Sequence, residues 1–109
     1  MATLATQAIA LAGLNPTYAN AAAGGDKAEC GDRNFLHVKN GSASSVTVTL
    51  TATASVRGQA VSNLTVSVPA SGERMIGPLQ PDLFLSQTDG LCAVGYSAAA
   101  SVTVAALRI

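Results

Sequence analysis

One histidine, two cysteines and six carboxylates stand among the 109 residues, so any reaction chemistry has few groups to draw on. His37 alternates with Leu36 and Val38 and therefore faces the opposite side of a strand from both. A zinc site or a nucleophilic triad needs further ligands or an acid at defined positions. None accompanies His37 in the sequence, which reads as a surface or packing residue. Asp26, Glu29 and Asp32 form an acidic cluster, and hard cations favour oxygen ligands of this kind. Their spacing matches no calcium loop, and Lys27 and Arg33 sit among them, so a solvated or ion-paired loop is expected. Cys30 and Cys92 lack an adjacent histidine that would make either a nucleophile. A bond between them would close a long loop and contribute roughly 4 kcal/mol, whereas cytoplasmic assembly would keep both reduced. Both readings stay open. Asn40-Gly41-Ser42 and Asn63-Leu64-Thr65 match the glycosylation sequon, which carries no meaning without a secretory route. No catalytic, cofactor-binding or metal-binding residue is assigned, and an enzyme is not expected.

Charge excludes further classes. Charged residues make up 11% of the chain and the formal net charge is zero. Lys27, Arg33, Lys39, Arg57, Arg74 and Arg108 are scattered, so neither nucleic acid nor an acidic membrane is an expected partner. So little charge fits a surface covered by neighbours in an assembly, although a secreted module could look similar. The apolar stretch from Leu4 to Leu14 follows no Lys or Arg and is interrupted by Thr6 and Gln7, an incomplete signal-peptide pattern. It is read as part of the mature protein, and it is shorter than the ~20 residues a membrane helix needs.

The elements that would position these residues are strands. Val46, Val48 and Leu50 alternate with threonines, the mark of a half-buried strand. The same period recurs at Leu64–Val68 and Ser101–Ala105, and less regularly at Phe35–Lys39, Glu73–Ile76 and Cys92–Ser97. Turn residues separate them at Asn40-Gly41-Ser42, Pro69-Ala70-Ser71-Gly72 and Asp89-Gly90. One helical turn is expected at Pro81–Leu85, with Pro81 in the first turn. The chain is expected to be a single all-β domain, a small β-sandwich or jelly-roll-like barrel. Its core should include Val46, Val48, Leu50, Val66, Val68, Val102 and Val104. Residues 1–33 are expected as an N-terminal arm and irregular loop, with a strand at Thr3–Ile9, and residues 34–109 as the sandwich core.

Several segments together resemble a known family. They are Ala12-Gly13-Leu14-Asn15-Pro16-Thr17-Tyr18, Phe35 to Ser42, Val68-Pro69-Ala70-Ser71-Gly72-Glu73-Arg74-Met75-Ile76-Gly77-Pro78, and Tyr96-Ser97 through Val102 to Leu107. Over about residues 12 to 109 the chain resembles small virion proteins encoded beside the major capsid gene of tailed bacteriophages and prophages. That resemblance implies a capsid decoration or cement protein in the virion, assembled in the host cytoplasm. Its partners would be the major capsid protein and further copies of itself in a homo-oligomer such as a trimer, with no cofactor. A head-tail connector or tail-tube component is the alternative within the virion. A carbohydrate- or surface-binding β-module is the alternative of another class. Against it, Phe35, Phe84, Tyr18 and Tyr96 are the only large aromatics.

A decoration protein needs surface complementarity rather than a pocket. The interface candidates are Leu4, Ile9 and Leu11 in the arm, and Arg74, Met75 and Leu79 between Gly72 and Pro81. Gly77-Pro78 and Pro81 break regular structure in that second segment. Arg74 reads equally as a surface charge or as one half of an interface ion pair.

Overall fold

The structure, a computed structural model, describes residues 2–86 and 90–109. In chain order the elements are β1 (Ala2–Thr3), β2 (Thr6–Ala8), β3 (Ala19–Asn20), β4 (Asp26–Glu29), β5 (Asn34–Asn40) and β6 (Val46–Leu50). They continue as β7 (Ser55–Val56), β8 (Gln59–Ala60), β9 (Leu64–Val68), β10 (Glu73–Ile76), α1 (Pro81–Phe84), β11 (Leu91–Tyr96) and β12 (Val102–Arg108). The first sheet has the order β1-β4-β11-β6-β9, and the second β10-β5-β12-β2, with β3 also on β12. β7 and β8 form a separate hairpin, turned by Arg57 and Gly58 at positive φ. The fold is a small all-β sandwich. Its shortest dimension, 20 Å, matches two sheets packed about 10 Å apart with side chains on their outer faces.

Alternation decides which residues meet between the sheets. Val46, Val48 and Leu50 of β6 lie opposite Val68, Val66 and Leu64 of β9. Val38 and Leu36 of β5 lie opposite Val104 and Ala106 of β12. Of the seven core residues expected from the sequence, six are buried and Val66 is half-buried against the same cluster, while Thr47 faces solvent. The register is therefore the one that the valine–threonine alternation dictates. The turn after β9 closes with the Gly72 N–H on the Pro69 carbonyl at 3.0 Å, and Ser71 takes the positive φ. Of the expected Asp89-Gly90 turn, Asp89 lies outside the described residues, and Gly90 has φ +71.

The N-terminal third departs from expectation. It contributes strands to both sheets rather than lying outside the core, while residues 9–18 carry no regular structure. β1 adds to β4 in the first sheet, whereas β2 and β3 pair with the free edge of β12 in the second. Leu4 and Ala21 are buried in the common core. The reason lies in β12, where Val104-Ala105-Ala106-Leu107 is buried on both faces and so needs cover on the outer one. Asp26, Lys27, Ala28 and Glu29 form a strand between β1 and β11 rather than a solvated loop. Gly25 permits this entry: it has φ +93, and an added Cβ would lie 2.6 Å from the Val94 carbonyl oxygen.

Candidate binding surface on the outer face of the second sheet

Phe35, His37 and Lys39 point outward from β5, and Glu73 and Met75 stand beside them on β10, because Met75 lies opposite His37 and Glu73 opposite Lys39. The segment from Ile9 to Tyr18, which joins β2 to β3, crosses this face. Its Tyr18 ring meets the His37 imidazole edge-on at 5.5 Å, and the Lys39 ammonium sits 4.1 Å from the centre of the same ring. Tyr18 Oη is 2.6 Å from His37 Nδ1, and His37 Nε2 is 3.1 Å from Glu73 Oε1. A carboxylate only accepts, so Nε2 carries a proton, and in the neutral ring Nδ1 then accepts from the tyrosine hydroxyl. His37 is buried by this cover, although it faces away from the core. It is a packing residue, as its sequence context indicates, with both ring nitrogens in use. Gln7 holds the same segment down through a pair of 2.8 Å hydrogen bonds with the Thr17 backbone.

Between this segment and the sheet the surface is open and apolar. A groove of about 300 Å³ is lined by Ile9, Leu14, Pro16, Phe35, Met75 and Leu107, with Tyr18 and His37 at its polar end. A second groove of about 410 Å³ shares Phe35 and Met75 and runs on to Pro78 and Ile109. Met75 is 67% exposed and Ile109 71% exposed, so this surface places large apolar groups in water. Leu11, fully exposed, stands at the tip of the turn that the Gly13 N–H closes on the Ala10 carbonyl. Asp32 and Arg33 stand at the polar margin of the second groove.

Comparisons with protein-family models, curated proteins and solved structures found no match to this chain.

The structure brings Ile9 and Met75 together and sets Leu11 at the tip of the segment that carries Ile9. Arg74 is exposed and lies across from Val38, on the opposite face of edge strand β10 from Met75; its guanidinium donates to the Glu73 carbonyl at 2.8 Å. Two of the proposed interface residues belong elsewhere. Leu4 is buried because its N–H pairs with the Lys27 carbonyl and carries the side chain into the core. Leu79 is fully buried because the chain turns inward after β10, its N–H bonding the Asn34 carbonyl at 2.9 Å.

Two buried polar groups escaped the sequence reading. Asn40 sits at the end of β5, and its side-chain amide donates to the Ser44 carbonyl at 2.7 Å and the Val68 carbonyl at 3.2 Å. Its carbonyl oxygen accepts from the Ser42 backbone and hydroxyl, so this sequon asparagine ties turns together inside the fold. Asp26 is fully buried, accepting from the Tyr96 hydroxyl at 2.8 Å and the Ala22 N–H at 3.3 Å. Glu29 and Asp32 remain exposed, so the acidic cluster is not assembled. Among the described residues no group of three or more His, Cys, Asp or Glu is placed to hold a metal ion, and no helix is long and apolar enough to cross a membrane.

Proposed function

We propose that this protein is a structural component of a bacteriophage virion, a decoration or cement protein that binds the capsid shell and stabilises it. The observation that carries this reading is the exposed apolar surface made by Ile9, Phe35, Met75, Pro78 and Ile109 on the outside of the second sheet. Contiguous apolar patches rimmed by polar residues mark sites of association. A shell protein is recognised through such a surface, with no pocket chemistry required. The low charge of the chain supports the same reading, because a surface mostly covered by neighbours does not depend on charge repulsion for solubility. The sequence resemblance to small proteins encoded beside major capsid genes points in this direction independently.

The test is the composition of purified particles. A decoration protein is expected at a copy number comparable with the major capsid protein, read from band intensities after gel electrophoresis. A copy number of about one ring per particle would move the protein to the head-tail connector, and its absence from particles would overturn the virion reading. Purified protein should also bind expanded shells lacking it and raise their melting temperature.

A further inference from the structure

Cys92 of β11 lies directly across from Ala28 of β4, and Leu91 lies across from Glu29. Residues two apart on a strand share a face, so Cys30, one position beyond β4, falls diagonally from Cys92 on the inner side. The two cysteines are thiols rather than a disulfide, packed on the common core; Cys92 is sealed from solvent and Cys30 is half-exposed. We infer that Cys30 and Cys92 are a site of reversible disulfide modification, closed by a low-molecular-weight disulfide and stapling β4 to β11. The Cys92 thiol is pushed up to about 12 by burial first, and then by the charge of Cys30 and a hydrogen bond with it.

The exposure of the two sulfurs sets the order of events. A small disulfide reaches Cys30, whose thiolate attacks one sulfur of the reagent, forms a mixed disulfide and expels the first small thiolate. The Cys92 thiol then loses its proton, and its sulfur attacks the Cys30 sulfur and expels the second small thiolate. The protein gives up two protons and two electrons, and the reagent is reduced to two thiols. Diagonal neighbours stand about 7–8 Å apart at Cα, beyond the usual disulfide span of up to about 7 Å, so closure requires the backbone to move. Closure therefore draws in Cys30, which lies past the last ladder pair, and leaves the Cys92–Ala28 register in place. The bond would join sequence-distant parts of the chain and so restrict the unfolded state. This inference stands apart from the virion proposal, since it concerns one chain in isolation.

The experiment uses the full chain, reduced with a phosphine and then incubated with excess oxidised glutathione at mildly alkaline pH, which favours thiolate attack on the reagent. The expected product is a monomer lighter by two hydrogen atoms, with no thiol titratable after denaturation. Its non-reduced peptide map joins the Cys30 and Cys92 peptides. Its melting temperature should rise on the order of 10 °C and return on reduction. Cys30→Ala, at the half-exposed position, should fold and show neither the mass loss nor the shift. Two free thiols remaining under excess oxidant, arrest as a stable glutathione adduct, or disulfide-linked dimers would each overturn the inference.

Discussion

Tyr18 Oη lies 2.6 Å from His37 Nδ1, and this contact fastens the segment between β2 and β3 to the middle of β5. The imidazole is buried between that segment and its own sheet, with Glu73 on its other nitrogen at 3.1 Å. Removing the hydroxyl leaves Nδ1 without its partner in a place water reaches poorly, which costs more than an exposed bond would. Tyr18→Phe should lower stability by about 1–2 kcal/mol, or roughly 4–8 °C in melting temperature. Equal denaturant midpoints for the two proteins would show that the bond contributes nothing to holding the segment down.

The pairing of Tyr96 with Asp26 gives the protein an alkaline limit. Burial of Tyr96, followed by its hydrogen bond to Asp26 and the Asp26 charge, pushes the phenol far above its ordinary value of 10.0. Burial likewise pushes the Cys92 thiol from 9.0 up to about 12. In both cases the folded state holds the proton more tightly than the unfolded state does. The corresponding stability is complete below the unfolded values and is lost as pH rises through and beyond them. Denaturant midpoints should therefore fall from about pH 9 upward, the range where the unfolded thiol and phenol ionise. Tyr96→Phe should flatten the part of that fall that begins near pH 10, while costing about 1–3 kcal/mol at neutral pH because Asp26 Oδ2 loses its closest donor. An unchanged alkaline slope in the variant would show that Tyr96 is not the titrating group.

Removal of residues 1–20 should unfold the protein. Those residues supply β1, β2 and β3, and their loss bares the edge of β12 together with the outer faces of Ala105, Leu107 and His37. An unpaired edge beside newly exposed apolar side chains also favours aggregation. The truncated chain should lack a cooperative thermal transition and elute as aggregate in size-exclusion chromatography. A monomer that melts near the full-length temperature would mean that the segment adds no core strand.

The sandwich was legible wherever one strand face met solvent, because a valine–threonine period allows a single register. Val46 to Leu50 and Leu64 to Val68 show this directly. The N-terminal third was not legible in that way. Asp26-Lys27-Ala28-Glu29 reads as polar, and its place in the sheet depends on Gly25, on Tyr96, 70 residues from Asp26, and on the register with β11. One signal for the N-terminal cover was present in the chain. The run Val104-Ala105-Ala106-Leu107 abandons alternation, as a strand buried on both faces does. At the candidate surface, Ile9, Leu11 and Met75 are exposed. Leu4 and Leu79 could not be told apart from them, since an apolar side chain in an irregular segment fits a core and an interface equally well.

The capsid-binding reading makes a separable prediction for the two neighbours on β10. Met75 and Arg74 are both exposed on an edge strand, but alternation sends them to opposite faces, Met75 into the apolar grooves and Arg74 away from them. If the grooves dock on the shell, Met75→Gln removes apolar area from the contact at nearly constant volume. Burying a methionine contributes about 1.5–3 kcal/mol, so affinity for shells should fall roughly tenfold or more. The monomer should keep its melting temperature to within the equivalent of about 0.5 kcal/mol, because Met75 is already in water. Arg74→Ala tests the other face and should weaken binding only if its guanidinium pairs with a carboxylate of a neighbour. Occupancy on particles, measured for both variants against the unsubstituted protein, separates the two. Full occupancy with Met75→Gln, together with loss on Arg74→Ala, would move the docking face to the inner-facing side of the β10 edge. Full occupancy with both would remove β10 from the interface altogether.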